Sequence, residues 1–583
     1  MKNYYEDNLD LQFVLDEFVN WNKVIPVIER DFEDAKKYQE TQDAKFEYAP
    51  SSTDEAVDFY KSVYDAYAQI IAGELAPHVL EMDKQGLKFE NGKVIPPEVQ
   101  VNFIQKLKES QILCYSLPRE WGGLNFGLTA RQPISELMAR ADASTGIIVG
   151  YYNMPEMIEY YGDDYLKQTY LPKFASGEML GAMALTEPDI GSDLTNAQLK
   201  AERVDGRIFK LNGTKIFITQ GCGFGEDTKA AIFTIARSLD KKGAFGLSFF
   251  MVESSDIEIS RIEEKMGLHC SATCEVKYDN SKGYLIGDEG AGLVKYAINM
   301  MNGARMGIAC QSLGIMQQAY SLAKEYAAQR VQFGVTIENL PPVRRMLNES
   351  LARVHAARAL IYRASEVVDL ALGMMNNARH EGIDEKVLRK NPEYMKWDKI
   401  AKLLTPLSKL TASEWANKVA YDGVQVHGGV GYTEEYEIAK VYRDARITSI
   451  YEGTSQLQVI AIIGGVLDAV KENSIMGDYL DEQIALLKDE RIAAKVKDYR
   501  ARLEKQVEIY KSYDKPVREA LSQELAWMFS YMFCLLMLGQ QIDIARAKNH
   551  PILEEKELAV NEFLKLADRE IAASEATIAS YAS

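Results

Sequence analysis

The sequence predicts an α+β protein in which a block of strands is enclosed between helical segments. Three observations carry this reading. Apolar residues recur at helical spacing early in the chain, at Phe59, Val63, Tyr67, Ile70, Ile71 and Leu75. Alternating residues bounded by turn dipeptides are confined to a stretch beyond residue 200. Helical patterning returns after Gly287 and continues to the end. Strands gathered in one region, with helices on either side of it in the chain, indicate α+β architecture rather than a βαβ series.

The elements follow in order. Residues 1–52 read as a helical N-terminal extension, with Leu11, Val14, Leu15, Phe18 and Val19 at helical spacing and Pro50-Ser51-Ser52 closing it. Residues 53–179 read as a helical domain broken by Gly and Pro at 118–123. The central β domain, 180–285, starts its alternation after an Asp205-Gly206 turn, and an Asn212-Gly213 turn is expected to end that strand. Further strands are expected at 215–219, 230–237, 246–252 and 273–278. A long helix over 293–330 opens a helical bundle, 286–465, and 466–583 form an additional helical domain. The most apolar run, 525–538, is shorter than a bilayer-crossing helix and reads as a buried one.

Composition narrows the function. With 583 residues the chain exceeds a single core. Its net charge of −18 speaks against nucleic-acid binding. The six cysteines are scattered, and Cys270 and Cys274 lack the further ligands of a zinc site, so they read as structural thiols and no metal is expected. The N-terminus has no signal or transit pattern, so a cytoplasmic protein without a membrane span is expected. His78, His355, His380 and His550 have no nearby partner pattern, and no hydrolase or Walker motif is present.

Several segments could carry chemistry. In Tyr451-Glu452-Gly453-Thr454-Ser455-Gln456-Leu457-Gln458 a lone carboxylate stands beside a glycine, which suits a general base. The same letters suit a helix start near Gln456 capped by Thr454 or Ser455. Leu185-Thr186-Glu187-Pro188-Asp189-Ile190-Gly191-Ser192-Asp193 sets hydroxyls and amides among two breakers, as a ligand loop or a plain connection would. Strand alternation would put Phe217 and Thr219 on one face. Asn302-Gly303-Ala304-Arg305 places an arginine among apolar neighbours, where an ion pair is the alternative reading. Arg330-Val331-Gln332-Phe333-Gly334 closes the long helix with a guanidinium suited to pyrophosphate. Gln425-Val426-His427-Gly428-Gly429-Val430-Gly431-Tyr432 is glycine-rich without the order of a Rossmann fingerprint, and His427 reads as structural.

Taken together over 57–463, these segments resemble, in order, the motifs of the acyl-CoA dehydrogenase family, and the longer build resembles its large members. The resemblance implies the corresponding fold and FAD as cofactor. It places Leu185, Thr186, Gly191, Ser192, Phe217 and Thr219 around the flavin, and Gln425, Gly428 and Gly429 at its adenylate portion. Thr454 and Gln456 become further FAD contacts, while Arg330, Gln332 and Phe333 meet the FAD of a neighbouring subunit. Ser192, Asn302 and Arg305 become acyl-CoA contacts. Glu452 becomes the base, because Ala304 stands where some members carry theirs. Relatives commonly have Trp at Phe217 and often Gln at Pro341, which alters ring packing at one point and one adenylate-side contact at the other. The implied reaction is dehydrogenation of an acyl-CoA to the trans-2-enoyl-CoA in fatty-acid β-oxidation, with electron-transferring flavoprotein as acceptor and a homodimer or dimer of dimers as assembly. An oxygen-using acyl-CoA oxidase and a silent flavin or acyl-CoA scaffold are the alternatives.

Overall fold

The computed structural model describes residues 3–581; Met1, Lys2, Ala582 and Ser583, at the ends of the expected terminal segments, lie outside the described residues. The chain forms two compact units, one spanning 32–304 and the other combining 4–31 with 305 onward.

In the first unit, helix α1 (Thr53–Ile70) starts where the sequence supplies a cap. Ser52 Oγ accepts from Glu55 N at 3.2 Å, and the Glu55 carboxylate reaches back to Ser51 N at 2.7 Å. Its buried face carries Tyr60, Tyr64 and Tyr67, and the last two spend their hydroxyls on the carbonyls of Ala130 and Ile112, both at 2.8 Å. Large rings enter this core more readily where the polar tip finds a partner, as those of Tyr64 and Tyr67 do.

The seven-stranded sheet consists of β1 (Met179–Ala184), β2 (Lys200–Asp205), β3 (Ile208–Thr219), β4 (Lys229–Arg237), β5 (Leu247–Glu253), β6 (Glu258–Ile262) and β7 (Thr273–Ile286). Pairing runs β1-β4-β2-β3-β7-β5, and β5 pairs again with β4, so five strands close on themselves while β6 adds to β7. Closure leaves few unpaired edges. The Asp205-Gly206 turn joins β2 to β3 as expected, with Gly206 at φ 49°. The Asn212-Gly213 turn does not form. Strand β3 runs straight through it, and the dipeptide instead makes an irregularity in the register with β7 between Leu211 and Gly213. Strand β1 escaped the alternation rule because all six of its residues are buried.

In the second unit, a π-helical turn, Gly292–Ala297 of the first unit's chain, leads into helix α2 (Ile298–Gln329), whose later turns belong here. Then come α3 (Pro341–His380), α4 (Pro392–His427), α5 (Glu437–Ala445), α6 (Ser455–Ala469), α7 (Glu490–Ser512), α8 (Lys515–Ala547) and α9 (Leu553–Ser580). Helix α8 is 33 residues long, so by length and composition alone it could cross a membrane, and the run 525–538 lies buried inside it, as expected. Burial explains its composition: 94% of the apolar window is covered, with α7 and α9 packed against the helix.

The N-terminal residues contribute a charge to this unit's interior. Asp10 is buried and pairs with Arg358 of α3 and Lys556 of α9; His355 Nδ1 lies 3.5 Å away, and His355 Nε2 is 3.1 Å from Glu555. Thus His355, without a partner pattern in the sequence, has partners about two hundred and more residues distant. Burial pushes the Asp10 carboxyl up, but the fields of His355, Lys556 and Arg358 outweigh it and hold it well below the usual carboxylate range.

Candidate active site

After α5 and a 3-10 turn at Arg446–Ser449, the chain leaves helical geometry before α6 begins. Glu452 and Gly453 occupy this break with φ 53° and 95°. A left-handed glutamate is uncommon and costs about 1–3 kcal/mol, so neighbouring contacts must hold it. Two donors converge on the next carbonyl: Lys409 Nζ reaches Gly453 O at 2.7 Å and Gln458 Nε2 reaches it at 2.8 Å. Gln458 Nε2 also lies 3.4 Å from Glu452 O. A Cβ at 453 would stand 2.7 Å from that nitrogen, so glycine is required by close approach as well as by φ. On either side, Tyr451 donates to Gln311 and Ser455 to Glu414.

Helix α6 starts at Ser455, one residue before the expected position, with Thr454 as N-cap. The expected hydroxyl cap does not form: Thr454 makes no side-chain cap bond, and the Ser455 hydroxyl turns to Glu414. Thr454 is half-buried and Gln456 exposed, beside the glutamate in the same break.

Burial raises the Glu452 carboxyl from its ordinary 4.5 to about 7, against the opposing fields of Arg305 and Lys409. Lys409 is fully buried in α4, which lowers its ammonium to about 8 although Glu414 and Glu452 oppose the shift. Arg305 is lowered by burial and supported by Glu452. These groups can hold a proton whose transfer falls near neutral pH. Lys409 was missed in the sequence. Its signal was there, as the single charge between Lys402 and Glu414 in an apolar helix.

Two further segments of this unit share a footing. Strands β8 (Val331–Gln332) and β9 (Val335–Thr336) form a hairpin turned by Phe333 and Gly334, at φ 53° and 80°. Arg330 and Gln332 are exposed, and Phe333 is 92% exposed. Beneath it, Ala323, Ala327, Ile337 and Leu347 pack with Val426, which neighbours the exposed Gln425. The hairpin and the glycine-rich turn after α4 are thereby fixed to one cluster. His427 is structural: its Nδ1 meets Gly423 O at 2.8 Å and its ring stacks on Tyr326. Gly428 and Gly429 have no atom within 4 Å of an added Cβ, whereas one at Gly431 would meet Val424 O at 2.8 Å.

In the first unit, Glu187 is buried and ion-paired to the fully buried Lys215 at 2.9 Å, and its carboxylate also accepts from Gln198 N and Leu199 N at 2.7 and 3.0 Å. Lys215 Nζ donates to Leu185 O and Ile216 N to Thr186 O, both at 2.9 Å. Leu185 and Thr186 are thus tied to the strand that carries Phe217 and Thr219, while Gly191 and Ser192 lie exposed further along the loop. The alternation argument for Phe217 and Thr219 does not survive intact. The register of β3 slips between Lys215 and Ile218, and Phe217 adopts φ 60° with 58% of its surface exposed. Asn302 is half-buried in α2. Cys270 and Cys274 are buried, and Cys270 Sγ donates to Met82 O at 3.0 Å.

Taken singly, four of the residues that the resemblance assigns to FAD have settings that suit such a group. Open backbone at Gly428 and Gly429 admits close approach, an exposed ring at Phe217 offers a stacking face, and Arg330 presents a cation for phosphate.

Family models match most of the chain: acyl-CoA dehydrogenase N-terminal domain over residues 59–178, middle domain over 182–281, and C-terminal domain over 290–382 and 385–467. The chain is 32% identical over 434 residues to 3-methylmercaptopropionyl-CoA dehydrogenase of Ruegeria pomeroyi, a match covering 70% of each. It resembles the structure of butyryl-CoA dehydrogenase from Megasphaera elsdenii with a TM-score of 0.58 and 29% identity, over 70% of this chain and 98% of that one. An acyl-CoA dehydrogenase from Bacillus anthracis, solved with FAD, shares the fold over 89% of this chain and 88% of its own, with a TM-score of 0.74 at 24% identity. The chain belongs to the acyl-CoA dehydrogenase family, whose members are oxidoreductases.

Proposed function

We propose that the protein removes two hydrogens across Cα and Cβ of an acyl-CoA thioester, giving the trans-2-enoyl-CoA, with Glu452 as the base at Cα. The carrying observation is the Glu452 carboxyl raised to about 7, on a backbone held in the left-handed region by donors to the adjacent carbonyl. A base poised near the working pH combines the correct protonation state with sufficient basicity. Ala304 offers no rival carboxylate. The Glu452 backbone amide is assigned to the thioester oxygen, where a fixed donor stabilises developing enolate charge.

FAD, when bound, supplies the two-electron acceptor for the hydride leaving Cβ, which no side chain provides. Phe217 and Thr219 are assigned to its ring, Gln425, Gly428 and Gly429 to its adenylate portion, and the hairpin with Arg330 to the FAD of a neighbouring subunit. Ser192, Asn302 and Arg305 are assigned to acyl-CoA. Electron-transferring flavoprotein is the proposed acceptor, a homodimer or dimer of dimers the assembly, and cytoplasmic fatty-acid β-oxidation the setting.

The test is a series of acyl-CoAs, short to long, offered to the flavin-replete protein with an artificial electron acceptor. Enoyl-CoA formation with at least one chain length is expected. Absence of product throughout would contradict the reading, and peroxide production in air at the same rate would replace the dehydrogenase with an oxidase.

A further inference from the structure

Lys409 is an expensive residue to keep. Its side chain is fully buried in α4, and its ammonium donates to the carbonyl of Gly453 at 2.7 Å. A buried cation is tolerated when it is hydrogen-bonded and faces opposite charge. If Lys409 served only to tie the loop, a neutral donor would suffice, and one is already present: Gln458 Nε2 reaches the same oxygen at 2.8 Å. What Gln458 cannot supply is a charge.

We propose that Lys409 is a positioning residue for the base: its donor, together with Gln458, locks the left-handed turn at Glu452 and Gly453, and its charge keeps Glu452 in the proton-accepting form. The charged groups acting on Glu452 are Arg305 from α2 and Lys409 from α4; Glu414, bonded to Ser455, acts in turn on Lys409. Arg305 and Lys409 both oppose the effect of burial on the carboxyl. Removing one cation therefore moves Glu452 further from the ionised form. The two roles separate by residue, since Lys409 carries donor and charge and Gln458 a donor alone.

This deepens the reading of Glu452 as base and rests on it, but the experiment does not need turnover. Infrared difference spectra of the flavin-loaded full chain, with Glu452→Gln as reference, follow the protonated carboxyl of Glu452 against pH. In the wild type the midpoint is expected near 7. Lys409→Met should raise it by about one unit or more, the size of shift an adjacent opposite charge produces. Gln458→Leu should leave the midpoint in place and lower turnover. Lys409→Arg, which keeps a cation, should hold the midpoint near the wild-type value and covers the case in which Lys409→Met does not fold; a midpoint displaced upward in Lys409→Arg as well would overturn the proposal. An unchanged midpoint in folded Lys409→Met would also overturn it. If the midpoint moves as expected while Glu452→Gln retains turnover, the assignment of the base fails and the electrostatic role of Lys409 stands.

Discussion

Lys215 Nζ lies 2.9 Å from Glu187 Oε1 with both side chains buried, and through it the loop carrying Leu185 to Ser192 is anchored to strand β3. The glutamate of that loop is therefore engaged in holding the backbone and is not presented to a ligand. Removing the lysine leaves a buried carboxylate supported only by the amides of Gln198 and Leu199. Lys215→Met should destabilise the protein by about 3–5 kcal/mol, the cost of breaking a buried pair from one side. Chemical denaturation checks this, and a loss below about 1 kcal/mol, within the range of an exposed pair, would contradict the anchoring role.

A second prediction concerns pH and rate. Burial raises Glu452 to about 7, so the base is increasingly protonated as pH falls through that value. The acid limb of kcat/KM should have its midpoint near pH 7 and fall tenfold for each further unit. A profile flat down to pH 5 would mean a base with an ordinary carboxylate value.

The buried network around Asp10 gives a third. Its carboxyl is depressed in the folded chain, so its contribution is fully present above the ordinary value of 3.8 and is lost as pH falls through the folded value. Asp10→Asn should cost about 3–5 kcal/mol at pH 7 by removing the buried carboxylate that Lys556 and Arg358 face, and the gap to wild type should shrink at pH below 3.8. Denaturation curves at the two pH values decide it.

Neighbouring glycines should behave differently. Alanine at Gly431 meets Val424 O at 2.8 Å and should lower the melting temperature, whereas alanine at Gly429 meets nothing within 4 Å and should leave it unchanged. If the open backbone at Gly429 approaches FAD, Gly429→Ala should nonetheless reduce the flavin-to-protein absorbance ratio after dialysis, as should Arg330→Ala.

Much of this was legible in the letters, but only where the determinants are local. The Ser52 cap and the Asp205-Gly206 reversal depend on residues within a few positions of one another. The Asn212-Gly213 dipeptide carries the same signal as a reversal, yet pairing with β7 across the bulge draws the strand onward. Strand β1 left no alternation because it is covered on both faces. The groups that tune the site were the least legible. Lys409 acts on a carbonyl 44 residues away, and Asp10 meets Arg358 across 348. Such partners are set by helix packing, and no spacing rule reaches that far.

The most direct test of the central claim is single-turnover reduction of flavin by an accepted acyl-CoA in Glu452→Gln, measured anaerobically against wild type. The amide cannot accept the Cα proton, so the variant should fold, keep its FAD and leave the flavin oxidised. Reduction at close to the wild-type rate by a folded, flavin-loaded Glu452→Gln would contradict the role of Glu452.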